Sequence, residues 1–213
     1  MAKAAAASRR EQRRQVHQDV SRAQLLDAAE EVFGRKGFHE ATLKEVAELA
    51  EFSVGSVYSF FENKDDLFRQ IFLRRGGEWM TGMAGVLDTG RDPLDELHDL
   101  VDFEVGFFRR YPQFGRLFLR YSSATMPSAD RQIDPVVAER YDEAMRQQAD
   151  LFRRGQAAGQ LRAGDPDVLA RLLSGMISAY QSLDPAVVSD EAASTERLPL
   201  TELHDIIAAT FAA

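Results

Sequence analysis

The sequence predicts an all-α protein of about nine helices arranged as two domains. Apolar residues recur at three- and four-residue spacing along nearly all of its 213 residues, and the period-two alternation of strands is absent. Successive helices of the second half open at prolines, namely Pro93, Pro112, Pro135, Pro166 and Pro199. A proline at a helix start gives up an amide that has no intrahelical partner anyway. Two capping boxes, Ser21 with Gln24 and Thr42 with Glu45, mark helix starts in the first half.

Residues 1–18 are alanine-rich and carry Arg9, Arg10, Arg13 and Arg14; they are expected to form a disordered basic arm. The first helix starts at Ser21, turns Leu25, Ala29, Val32 and Phe33 inward, and stops at Gly37. The second starts at the Thr42 box and buries Leu43, Val46, Ala47 and Ala50. Ser53 caps the third, whose inward residues are Val57 with Phe60 or Phe61. Its other face, from Val54 to Ser59, is short, uncharged and able to exchange hydrogen bonds. Two short helices about a tight turn with such a face suit a second helix laid in a DNA major groove. A fourth helix opens around Asn63, with Asp65 and Asp66 near its positive end. The expected division is a DNA-binding domain over 19–75 and a second domain over 76–213. Helices are expected there over 93–110, 112–123, 135–158, 166–183 and from 199 to the end, with polar loops at 124–134 and 184–198.

Residues 21 to 68 resemble the N-terminal domain of TetR-family transcriptional regulators. The resemblance rests on Leu25-Leu26-Asp27-Ala28-Ala29, Val32-Phe33, Gly37-Phe38, Ala41-Thr42, Val46-Ala47, Ala50, Ser53, Gly55-Ser56-Val57-Tyr58, Phe61, Lys64 and Leu67-Phe68, in order and without a gap. It implies that the third helix reads bases while flanking groups hold phosphates. On this chain Ser53, Val54, Gly55, Ser56 and Ser59 then lie at the groove, and Val54 can press on a thymine methyl. Thr42 and Tyr58 donate to phosphates, Lys64 adds charge, and Lys44 reaches a guanine edge or a phosphate. Two positions depart from the pattern. Glu51 stands where the family's turn usually has glycine, and Phe60 replaces a residue that is commonly Tyr or His, leaving a methyl contact instead of a hydrogen bond.

A net charge of −8 argues against a nucleic-acid partner until its distribution is considered. Residues 1–75 hold 13 basic and 12 acidic side chains, whereas residues 76–213 hold 13 and 22. The acidic excess is confined to the second domain. The chain has no cysteine, which excludes disulfides and thiolate chemistry, and no Walker, Rossmann, H-E-x-x-H or G-x-S-x-G pattern occurs. An enzyme is therefore not expected, nor is a cofactor or a metal. Without a signal peptide or a long apolar run, a cytoplasmic protein with no membrane partner is expected.

One three-helix head makes too few base contacts for useful specificity, which calls for a homodimer on a near-palindromic DNA operator. Leu169, Leu172, Leu173, Met176, Ile177, Leu203, Ile207 and Phe211, on the last two helices, are the expected dimer interface. Family resemblance puts dimerisation there too, as a four-helix bundle. Phe103, Glu104, Phe107, Phe118, Tyr121, Tyr141, Met145, Met176 and Tyr180 are the expected lining of a pocket for a largely apolar small-molecule effector. Glu104, on an otherwise apolar face, must either pair with an arginine such as Arg120 or hold a polar or cationic ligand group. The resemblance favours repression relieved by that effector. The competing reading is a helical protein-interaction adaptor that does not bind DNA.

Overall fold

The structure, a computed structural model, describes residues 2–122, 135–188 and 199–213. Among them ten helices follow one another: α1 (Ala2–Glu40), α2 (Leu43–Leu49), α3 (Val54–Phe60), α4 (Lys64–Val86), α5 (Pro93–Arg110), α6 (Pro112–Ser122), α7 (Pro135–Ala157), α8 (Pro166–Gln181), α9 (Pro185–Val188) and α10 (Leu200–Phe211). The only extended pairing among the described residues is one antiparallel bridge, Leu161 with Ala212. No helix described is long and apolar enough to cross a membrane. The expected loop at 124–134 and most of that at 184–198 lie outside the described residues, but Pro185–Val188 forms a helical turn.

The chain divides into two compact units, Met1–Ile71 and Phe72–Ala213, four residues before the expected boundary. In the first, α1 begins far ahead of Ser21, so the expected disordered arm is corrected to helix. The composition explains it, because Ala, Arg, Gln and Glu are strong helix formers and no glycine or proline interrupts them before Gly34. At Gly37 the backbone turns to φ 79°, and the helix kinks where its end was expected. Leu25, Ala29, Val32, Phe33, Val46, Val57, Phe61, Leu67 and Ile71 are buried together, so α1 to α3 and the start of α4 share one core. Arg22 ties that core's edge, lying over the Phe61 ring at 5.1 Å and donating to Gln70 Oε1 at 2.8 Å.

The second unit buries Met83, Leu97, Leu100, Val101, Leu151, Phe152, Leu173, Ile207 and Phe211 in one cluster. Close packing is built in at Gly82, where a methyl group would come within 2.4 Å of the Phe103 ring, so α4 and α5 approach without a side chain between them. Asp92 and Asp165 cap α5 and α8 by accepting backbone amides. Two buried acids hold loops. Glu96 accepts from the Asp88 and Thr89 amides, the Thr89 hydroxyl and Arg154. Burial pushes its carboxyl up, yet these bonds prevail and hold it below the usual range. Asp184 accepts from Arg109 Nε at 2.6 Å and from the Ala186 amide at 3.0 Å, which fixes α9.

Candidate nucleic-acid interface and ligand cavity

The head is assembled by local chemistry. Glu45 N donates to Thr42 Oγ1 at 3.2 Å and Thr42 N donates to Glu45 Oε2 at 2.9 Å, completing the capping box read from the sequence. Lys36 pairs with the same carboxylate through Oε1, a contact that no sequence pattern signals. Hydrogen bonds from Lys36 and then Thr42 hold the Glu45 carboxyl down at about 2, so it stays charged at neutral and mildly acid pH. The turn after α2 closes by two backbone bonds, Phe52 N to Ala47 O at 2.8 Å and Glu51 N to Glu48 O at 3.2 Å. This is the Schellman pattern, and its left-handed residue is Glu51 at φ 60°. A non-glycine residue is strained in that conformation. Glu51→Gly is expected to raise the stability of the DNA-binding unit by about 0.5–1 kcal/mol, read as a higher denaturant midpoint with unchanged m.

Ser53 Oγ accepts from Ser56 N at 3.0 Å and caps α3, setting the helix's direction out of the turn. Val57 and Phe61 are buried, and Phe60 is half-buried. Ser53, Val54, Gly55, Tyr58 and Ser59 are exposed and Ser56 half-exposed, so α3 presents one continuous surface of small hydroxyls, a valine, a glycine and a phenol. The hydroxyls are internally engaged: Ser53 with Ser56 at 2.8 Å, and Ser59 to the Ser56 carbonyl at 2.6 Å. Each can turn to a base or phosphate by rotation about one bond. Thr42 and Lys44 are exposed beside this surface, Lys44 lying 3.6 Å from Glu48. Lys64 is more occupied than expected. Its Nζ donates to the His39 carbonyl at 3.2 Å and lies 4.6 Å from the Phe38 ring centre, securing the end of α1.

In the second unit an apolar cavity of about 60 Å³ is lined by residues of α4 to α8. Of the nine expected lining residues it brings together Glu104, Phe118, Tyr141 and Met145. Phe103, Phe107, Tyr121, Met176 and Tyr180 are not on its wall, which corrects that expectation. Phe103 packs over Gly82, Phe107 stacks edge-on with Tyr111, and the Tyr180 hydroxyl accepts from Arg109 at 3.1 Å. Their places are taken by Phe72, Gly76, Trp79, Met80, Phe108, Phe114, Val137, Arg140, Ser174, Ser178 and Gln181. For the α4 contribution, the adjacent Trp79 and Met80 were the available signal in the sequence. Glu104 is buried and does not pair with Arg120. It accepts from Gln148 Nε2 at 2.8 Å, and burial, opposed by that bond, pushes its carboxyl up to about 8.

The expected dimer residues also shift in role. Leu169, Leu173, Ile177, Leu203, Ile207 and Phe211 lie inside the unit's own core and have no surface left to offer a partner. Met176 is partly buried against the same core. Leu172 alone of the expected set faces outward. The exposed apolar residues on these helices are Val168 at 53%, Leu172 at 53% and Ile206 at 54%, with an unobstructed Gly175 on α8. The sequence showed the stripes but not which side of each helix closed the monomer.

A capped helix-turn-helix with an exposed, hydroxyl-rich α3 thus stands in one chain with a helical unit that holds a cavity. Residues 25–71 match the family profile described as bacterial regulatory proteins, tetR family. Residues 25–71 thus carry the DNA-binding-domain pattern of the TetR family. Two curated relatives are from Mycolicibacterium smegmatis. The chain is 30% identical to the transcriptional activator FasR over 115 residues, 54% of this chain and 52% of FasR. It is 27% identical to the transcriptional repressor KstR2 over 154 residues, 71% of this chain and 73% of KstR2. The chain spans only 27% and 52% of the length of the first relatives it matches. The solved structure of AibR in complex with isovaleryl coenzyme A and operator DNA has the same fold, with a TM-score of 0.68 at 16% identity, over 88% of this chain and 96% of AibR.

Proposed function

We propose that the protein is a ligand-responsive repressor that binds a near-palindromic operator as a homodimer in the cytoplasm. The observation that carries the DNA-binding half is the exposed face of α3, held by the Ser53 cap and the Glu51 turn. Val54, Gly55, Ser56 and Ser59 enter the major groove, and Phe60 adds an apolar edge for a thymine methyl. Thr42, Ser53, Tyr58 and Lys44 bind the rims. Lys64 contributes its charge while keeping its bond to the His39 carbonyl.

The outward faces of α8 and α10, with Val168, Leu172 and Ile206, supply the apolar surface for a two-fold contact, the small Gly175 permitting close helix approach. The effector half rests on the cavity of the second unit, and AibR offers a parallel of a like-folded protein holding both a ligand and DNA. An effector that fits a conformation unsuited to DNA shifts the population away from the bound form. KstR2 supports repression by its description, and FasR makes activation the alternative sign at the same operator.

Selection of bound duplexes from a random pool tests the reading. The expected product is a pair of inverted half-sites whose affinity falls steeply as salt rises, because bound phosphates release counterions. A chain that selects no duplex in dilute buffer is an interaction adaptor instead.

A further inference from the structure

Among the cavity's lining residues, Glu104 is the acid and Arg140 and Tyr141, both on α7, are the only other charged or titratable groups. The lining from α4, α6 and α8 adds none. Arg140 is exposed on the helix surface and donates through Nη1 to the Leu73 carbonyl at 2.8 Å, so it stands at the rim. Glu104 is 5% exposed and stands at the floor. Between them the walls are rings and thioethers: Trp79, Phe108, Phe114, Phe118, Met80 and Met145.

Around Glu104 there is a shortage of donors. Gln148 Nε2 bonds one carboxyl oxygen, and Gln181 Nε2 bonds only the Glu104 backbone carbonyl, at 3.4 Å. The buried Gln148 Oε1 receives no hydrogen bond. Two side-chain acceptor groups thus lie side by side in an apolar enclosure with one donor between them. Aromatic faces are themselves electron-rich, so the rings add attraction for positive charge, while the wall's neutral donors include the Trp79 indole N–H, buried without an acceptor, and the Ser174 and Ser178 hydroxyls. An ionised carboxylate placed so is costly unless a cation meets it, and without one the group stays protonated and neutral.

We propose that the cavity selects a lipophilic cation, an ammonium or similar group carried on an apolar body, with Glu104 as its counter-ion and the rings of α4 and α6 around it. The inference rests on the ligand-responsive reading above and names its effector class. In the empty cavity Glu104 keeps its proton at neutral pH, its carboxyl being pushed up to about 8. A cation therefore binds with release of one proton. Its affinity rises with pH up to that value and falls about tenfold per unit below it, as one proton exchanged per ligand requires.

Trp79, the only tryptophan of the chain, lines the cavity and reports binding by its fluorescence. Full-length protein is titrated at pH 6 and pH 9 with benzyltrimethylammonium, with neopentylbenzene as its neutral isostere, and with phenylacetate as an anion. The expected result at pH 9 is at least tenfold tighter binding of the ammonium than of neopentylbenzene. That preference shrinks at least tenfold at pH 6, and phenylacetate binds most weakly. Glu104→Gln is expected to bring the ratio of ammonium to isostere to about one at both pH values. The pH pair on the unaltered protein keeps the test decisive if that variant does not fold. Equal binding of ammonium and isostere at pH 9 overturns the cation inference and leaves the cavity as a ligand site, as does tighter binding of phenylacetate. If none of the three quenches Trp79 while the operator still binds, the cation inference fails, and the ligand-responsive reading is left to effectors of another class.

Discussion

Gly55→Glu is expected to abolish operator binding, by at least 100-fold or about 2.7 kcal/mol, while leaving the head folded. The position is exposed in the middle of the α3 face, and a side chain added there meets only Ser53 Oγ, at 3.7 Å, an ordinary contact. Glutamate is a better helix former than glycine, so the unit's melting temperature should hold or rise. Against DNA the same change acts twice. It thickens the one point of α3 at which the backbone can approach base edges unobstructed, and it sets a carboxylate among phosphates in a groove whose potential is already strongly negative. Operator affinity by fluorescence anisotropy, measured beside thermal denaturation, separates the two effects. Full binding by this variant would mean that α3 is not the reading helix. Gly55→Ala, with no charge and one methyl, should lose roughly tenfold or less.

How far this could be read in advance depended on whether the signal was local. The Thr42–Glu45 box and the Ser53 cap are set within a few residues, and each was legible because its chemistry closes inside its own turn, whereas the left-handed Glu51 was marked only by the family resemblance. Which side of a helix meets which neighbour is written in no local pattern. The Leu169, Leu173, Ile177 stripe and its Leu203, Ile207, Phe211 counterpart have the apolar spacing of an interface, but α8 and α10 use them to close the unit's own core. Periodicity gives the angle between residues on one helix and says nothing of the direction in which the helix is turned. The cavity has the same history. Tyr141 and Met145 reach it and Phe107 and Tyr180 do not, because Phe107 stacks against Tyr111 and Arg109 draws the Tyr180 hydroxyl away. Lys64 and Lys36 carry roles in the head that only tertiary contacts reveal, through His39 and Glu45.

Phe152→Ala should be the most destabilising single substitution considered, at about 3–5 kcal/mol. Phe152 has no exposed surface, and its ring meets that of Phe211 at 5.3 Å and 60°, an edge-on contact between α7 and α10. Truncation removes the transfer free energy of a whole ring and leaves a void. The surroundings close it poorly. On the same helix Gly155 is already pressed by Leu161, whose side chain lies within 2.4 Å of where a methyl would stand, and Leu161 is tied by its bridge to Ala212. The neighbouring backbone is thus pinned from two sides and cannot slide inward. For a unit of this size the loss corresponds to a fall of roughly 10–20 °C in melting temperature. Because α10 also carries the outward Ile206, the variant should lose dimer before it loses helix. Sedimentation and far-ultraviolet dichroism, followed together on warming, are expected to report dissociation first, and a variant that melts in one step with its dimer intact would separate the Phe152 contact from the interface.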